Sequence, residues 1–400
     1  MAVSKEKMIL VRNLAAFWIF GLCNNYAYVI MLSAAEDIMD KQQHKEKNDT
    51  EKTCLDEIIE PHCSSTSTGA VLLADILPSL LIKITFPFFI QRIPFGIRHG
   101  IVCMLQVTCY LVVAYSTSVA MSLTGVVFAA MGSGLGEITY LSLSSHFPRS
   151  MISAWSSGTG GAGIVGSLAY AGLTEPHFAN LSPKNACLVM LVVPVIFAIA
   201  YWFLMVAPDT VNQARFLEPK TWFISDQNMA VSSTFSTEDT HPRAVSEVNW
   251  STEDVGSEKR RSTNSHKHEF VKQRKLSFKE QLLLIVPMLK YMIPLGTVYT
   301  GEYLINQGLM ANAVFFTFDA IYFFVPHIWI IFVLILYEGL LGGSSYVNTF
   351  DRIHREVSPD VKEYCLSAAS MGDAAGIVIA GFAAIPLHNF VCNQQKYHIH

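Results

Sequence analysis

Asp75, Lys83, Glu137, Glu302, Asp319, Glu338 and Asp373 each stand inside a long apolar run, and Lys290 lies near the edge of one. A charge in hydrocarbon is costly, so such residues usually face a cavity, a partner or a transport path. The acids outnumber the bases and cannot all be paired, which favours a transport path over purely structural ion pairs. Asp75 and Lys83 are eight residues apart, a little over two helical turns, so both can point to one side of a helix. Pro78 between them loosens the backbone hydrogen bonding, as in the mobile or broken helices of transporters. Glu137 ends the glycine-rich segment 132–137. Glu302 opens a polar group with Tyr303, Asn306 and Gln307, and helical spacing places Glu302 beside Asn306 and Tyr303 beside Asn306 and Gln307. Such a cluster is costly unless it meets a polar solute or another helix, which makes it the best substrate-site candidate in the second half. Glu338 and Asp373 are single acids among small residues, a weaker case. Carboxylates facing a partly dry cavity take up protons readily, so proton-coupled transport in an acidic compartment is a further expectation.

The elements that carry these groups follow from the distribution of charge. Of 400 residues, 51% are apolar and 15% are charged, where a soluble domain carries about 25% charge. Of the 60 charged residues, 39 fall in 1–13, 36–68 and 208–280, so the remainder is too apolar to cover a water-soluble core. The fold class is an all-α polytopic membrane protein. A span needs about 20 apolar residues, and runs of that kind fall near 14–35, 69–90, 100–119, 120–145, 150–172, 186–207, 283–305, 327–348 and 364–388. The shorter piece 310–326 makes about ten spans. Lys5, Lys7, Arg12, Arg92, Arg98 and Arg149 place the N-terminus and the 2–3 and 4–5 connections in the cytosol. The acidic loop 36–68 is then lumenal, with a glycosylation sequon at Asn48 and a possible disulfide between Cys54 and Cys63.

Three regions are expected: a six-helix half at 1–207, a disordered cytosolic linker at 208–280 rich in Ser, Thr and charge, and a second half at 281–400. Two halves joined by a long cytosolic linker are the outline of a major-facilitator bundle. One conflict remains. With ten spans, Arg352, Arg355 and Lys362 in 349–362 would be lumenal, although positive charge prefers the cytosol. An odd number of helices is therefore missing between 305 and 327, and the second half reads as incomplete.

Gly158, Gly160 and Gly163 satisfy GxGxxG, but a dinucleotide site needs a strand and a soluble βαβ unit around it. Gly158, Gly161, Ala162 and Gly166, and in the second half Gly342 and Gly343, are instead expected to pack helices closely. No hydrolase, zincin or Walker motif is present and no His or Cys group has metal-ligand spacing, so neither an enzyme nor a metal or other cofactor is expected. No basic surface remains for nucleic acid.

Gly-Leu-Cys-Asn-Asn-Tyr at 21–26, Ala-Val-Leu-Leu-Ala-Asp-Ile-Leu-Pro at 70–78 and Trp-Ser-Ser-Gly-Thr-Gly-Gly-Ala-Gly at 155–163 lie in the first half. Glu-Tyr-Leu-Ile-Asn-Gln-Gly-Leu at 302–309 and Tyr-Glu-Gly-Leu-Leu-Gly-Gly at 337–343 lie in the second. In these segments the chain resembles the battenin family of lysosomal membrane proteins. The resemblance implies a major-facilitator-like bundle with an odd helix count in late endosomal and lysosomal membranes. It implies a role in clearing glycerophosphodiesters, with lysosomal pH, basic amino-acid handling, autophagy and trafficking also attached to the family. It marks Glu302 and Asp373 as positions where substitution impairs function. The chain departs from the family between Met310 and Ala311, where a further helix and the start of another are missing. It also lacks the longer N-terminal tail with sorting signals, and Cys392 stands too far from the end for prenylation.

The expected function is alternating-access export of small polar solutes, glycerophosphodiesters foremost, with protons as a further expected partner. Lys83 and Lys290 would hold the phosphate, Glu137 and Glu302 would handle hydroxyls or protons, and Asn306 and Gln307 would fix orientation. The rival readings are transport of a cation such as arginine, and a scaffold in the lipid bilayer that recruits trafficking proteins through 208–280.

Overall fold

The computed structural model describes residues 2–42, 68–212, 214, 218, 221–224, 274–306 and 327–398. Asn48, Cys54, Cys63, most of the linker, Gln307, Asp319 and the span expected at 310–326 lie outside the described residues, as does the side chain of Asn306.

The protein is a helical bundle. Its elements are α1 (Ala2–Gln42), α2 (Thr68–Thr85), α3 (Phe95–Ala114), α4 (Val119–Ser144), α5 (Ser150–Thr174), α6 (Pro183–Val189), α7 (Val192–Ile199), α8 (Phe278–Asn306), α9 (Ile328–Glu356), α10 (Lys362–Ala369) and α11 (Met371–His398). Among the described residues six segments are long and apolar enough to cross a membrane: α1, α3, α4, α6–α7 with the turn after it, α8 and α10–α11. Three others pack among them. Of these, α2 carries Asp75 and Lys83, α5 is rich in Gly and Ser, and α9 ends in Asp351, Arg352, Arg355 and Glu356.

Local chemistry sets several ends and breaks. Ser118 caps α4 by accepting from Met121 N–H, and Ser182 caps α6 ahead of Pro183. Ser277 and Glu280 close a reciprocal capping box on α8, the Ser-x-x-Glu pattern that fills two orphan N–H groups at a helix start. The sixth span breaks after Val189 because Pro194 has no N–H to offer the carbonyl one turn back. It ends in a π turn, Ala200–Leu204. The carbonyls there are taken up from α1: Arg12 donates to Phe203 and Leu204 at 2.8 and 3.1 Å, and Asn13 donates to Val206 at 3.2 Å.

These contacts place the start of α1 beside the end of the sixth span, on what is here named the N side. Gln281 donates to the Phe88 carbonyl, His354 sits 3.3 Å from the Ser144 carbonyl, and Arg98 meets Glu363 at 3.1 Å. Residues 352–363 therefore lie on the N side with residues 86–98 and 142–149. Helix α9 runs antiparallel to α8, since Lys290 of α8 meets Glu356 at the end of α9 at 3.3 Å while Glu302, further along α8, meets Gly342, earlier in α9. The lumenal position that a ten-span count gives 349–362 is thus corrected, because α9 begins on the side where α8 ends.

Glycine decides the closest crossings. A Cβ on Gly158 would overlap the Trp18 carbonyl and one on Gly21 the Trp155 carbonyl, while Gly161 and Gly166 touch α1 side chains at 3.6 and 3.5 Å. In the second half the close crossing joins Gly296 of α8 to Gly372 and Gly376 of α11. Among the described residues a Cβ on Gly343 would meet nothing within 4 Å, because Gly343 lies a residue round the helix from Gly342 on the exposed face of α9.

Candidate functional site

Lys83 is 2% exposed and sits where the two halves meet. Its Nζ lies 2.6 Å from Glu137 Oε2 on α4 and 2.9 Å from Asp373 Oδ2 on α11. The glycines around Glu137 explain how α4 comes this close to its neighbours. A Cβ on Gly134 would overlap Ser79 of α2, and one on Gly136 would overlap Asn24 of α1. The second oxygen of Glu137 accepts from the Tyr346 hydroxyl of α9 at 2.8 Å, and the Trp155 indole N–H of α5 donates to that hydroxyl at 3.4 Å. Helices α2, α4 and α5 of the first half are thereby tied to α9 and α11 of the second through one cation. Asp373 keeps Oδ1 without a hydrogen bond. A buried ion pair holds two elements together mainly because breaking it by removing one partner costs about 3–5 kcal/mol.

A row of tyrosines leads away from this centre. Tyr346 and Tyr299 have ring centroids 6.2 Å apart, and Tyr299 and Tyr303 are stacked at 6.2 Å and 19°. Glu302 follows, pressed against Gly342 so closely that a Cβ there would overlap its carboxylate. Glu302 Oε2 and both oxygens of Glu338 have no hydrogen-bond partner, and the two carboxylates lie within electrostatic reach of each other. On the first half, Asp75 is fully buried, with the Tyr28 hydroxyl as its neighbouring donor among the described residues.

The sequence model of the CLN3 protein family matches residues 15–315 and 309–394. The chain belongs to that family. It is 35% identical to battenin of Canis lupus familiaris over 445 residues, covering 98% of this chain and 93% of the relative. It is 31% identical to protein btn-1 of Neurospora crassa, covering 96% and 89%, and 31% identical to protein BTN1 of Yarrowia lipolytica, covering 95% of each. The CLN3 match divides at 309–315, the position where the sequence departs from the battenin pattern.

In this CLN3-family chain, then, Lys83, Glu137 and Asp373 form one cluster, and Glu302, Tyr303 and Glu338 extend toward it through Tyr299. Asp75 stands apart from Lys83 although both are buried on α2. Lys290 does not join the site, because Glu356 holds it on the N side. Sequence reasoning missed Tyr28, Trp155, Tyr299 and Tyr346, since an aromatic residue in an apolar run carries no mark of a polar role. It also missed a second buried group on the N side. There Arg98 donates to Glu363, to Ser142 Oγ at 3.2 Å and to the Ile93 carbonyl at 2.6 Å. His146 lies 3.7 Å from the other Glu363 oxygen. Arg98 had been legible only as a flanking positive charge.

Proposed function

We propose that the protein is a transporter of late endosomal and lysosomal membranes that exports small polar solutes by alternating access and so supports lysosomal homeostasis, including pH. Glycerophosphodiesters left by phospholipid breakdown are the substrate class we favour. The observation that carries this reading is Lys83, a buried cation held by one carboxylate from each half of the bundle. A phosphodiester anion can replace Asp373 on Lys83 by charge-assisted hydrogen bonding, and doing so releases that bond between the halves. That is the differential interaction by which a ligand shifts a conformational equilibrium.

The test is Lys83→Met. Phosphodiester efflux from lysosomes should be abolished while the protein stays in the lysosomal membrane; normal efflux refutes the assignment. A second reading, a cationic substrate such as arginine, is favoured by the buried carboxylate oxygens of Glu302 and Glu338 that lack a hydrogen bond among the described residues. Competition between arginine and a phosphodiester on the same vesicles separates the two.

A further inference from the structure

The cluster at Lys83 leaves only one carboxylate oxygen open among the described residues, whereas Asp75 has no cation beside it and only the Tyr28 hydroxyl as a neighbouring donor. It lies on α2 about 12 Å from Lys83 along the helix axis, at a rise of 1.5 Å per residue, toward the side away from the N side. It is 0% exposed. The Tyr28 hydroxyl, on α1, is also buried. Tyr28 faces both Asp75 and Tyr303 of α8. From the remaining packed elements, Cys109 of α3 comes within electrostatic reach. Glu137 of α4 and Asp373 of α11 are drawn toward Lys83 instead.

A buried carboxylate with no cation and a single tyrosine hydroxyl beside it is costly when ionised and is accommodated once it carries a proton, since its O–H can then donate to a tyrosine hydroxyl as well. A divalent cation would need about six oxygen ligands. Here one carboxylate and two hydroxyls converge, and no group of three or more His, Cys, Asp or Glu forms a metal cluster among the described residues. The walls matter as much as the occupant. Asp75 and Tyr28 belong to the first half and Tyr303 to the second, so rocking of the halves opens or closes this pocket. Glu302 and Glu338 both belong to the second half and move together. Only a site that differs between the two arrangements can bias one over the other.

We propose that Asp75, enclosed by Tyr28 and Tyr303, binds the proton that is coupled to solute movement, at a place separate from the solute-binding Lys83. The assignment rests on the transporter reading above. The carboxylate takes a proton from water on one side of the membrane, forming an O–H bond, and returns it to water on the other when the halves change position; no redox step is involved.

The experiment uses the full chain in proteoliposomes, with a radiolabelled glycerophosphodiester as probe. Uptake is measured with an imposed pH gradient, and exchange is measured at equal pH. The wild-type protein should show uptake stimulated several-fold by the gradient. Asp75→Asn should lose that stimulation while equal-pH exchange continues, which also shows that the variant is folded. Tyr28→Phe and Tyr303→Phe should stay coupled but shift the pH of half-maximal stimulation. An Asp75→Asn protein that keeps the wild-type gradient response overturns the proposal, as do tyrosine variants whose pH profile is unmoved. A wild-type protein that exchanges no probe at equal pH overturns the transporter reading itself, whereas one that exchanges probe without any gradient response overturns only the coupling at Asp75.

Discussion

Glu363 is the residue that most directly holds the two halves closed on the N side. Its carboxylate, 6% exposed, receives Arg98 from α3 and has His146 at its other oxygen. Arg98 is itself 1% exposed and lies over the Phe95 ring at 4.2 Å, so without Glu363 its charge would be stranded in an apolar setting. Glu363→Leu should therefore destabilise the detergent-solubilised protein by about 3–5 kcal/mol, read as a lower midpoint of thermal unfolding. Replacing Arg98 by Met in the same chain should recover part of the loss, because an apolar pair is better tolerated than a lone buried charge. An unchanged midpoint in the single variant would show that Arg98 finds another partner. The residues that do the work at this scale were only half legible. Lys83, Glu137, Glu302 and Asp373 announce themselves as charges in apolar runs. Tyr346, Trp155 and Glu363 do not, because an aromatic ring looks like core and a charge beside a span looks like a topological signal.

At the scale of helices, glycine placement decides which faces touch. The every-fourth-residue spacing of Gly158, Ala162 and Gly166 on α5 was readable, and the structure lays it on α1 with Gly21 completing the contact. In the second half the conspicuous run 337–343 drew attention to Gly342 and Gly343. The close backbone contact lies instead at Gly296, Gly372 and Gly376. Gly296 is isolated in its own helix, and the match between two distant helices has no signature in either one. The consequence is testable. Gly376→Leu should separate α8 from α11, costing about 1–3 kcal/mol as an overpacked side chain does, and should weaken transport because Asp373 sits one turn away. Gly343→Leu should change unfolding by under about 0.5 kcal/mol, as a substitution in open space does. Equal losses at the two positions would mean that α9 has a neighbour at Gly343.

At the scale of the whole chain, the number of crossings between α8 and α9 is constrained by contacts far from that connection. Lys290 on Glu356, Arg98 on Glu363 and His354 on the Ser144 carbonyl all require α9 to end on the N side. Helix α8 starts on that side, so α9 begins on the side where α8 ends. A single span at 310–326 would invert α9–α11, move Asp373 away from Lys83 and place Arg352 and Arg355 on the wrong side for positive charge. Restoring the additional helix and the start of the next that the battenin resemblance implies would have to add an even number of crossings. The parity would be kept, and both arrangements would present the same face of α11 to Lys83. The positive charges of 349–362 marked a parity conflict in the sequence but could not say how to resolve it, because 310–326 is long enough to resemble a span and too short to be a comfortable one. Ser358→Cys decides the matter. With the N-terminus cytosolic, a membrane-impermeant thiol reagent should label this cysteine in intact cytosol-side-out vesicles, both in the chain as it stands and in one with the extra segment restored. Labelling only after the vesicles are opened would reverse α9–α11 and break the Lys83–Asp373 pair on which the transport reading stands.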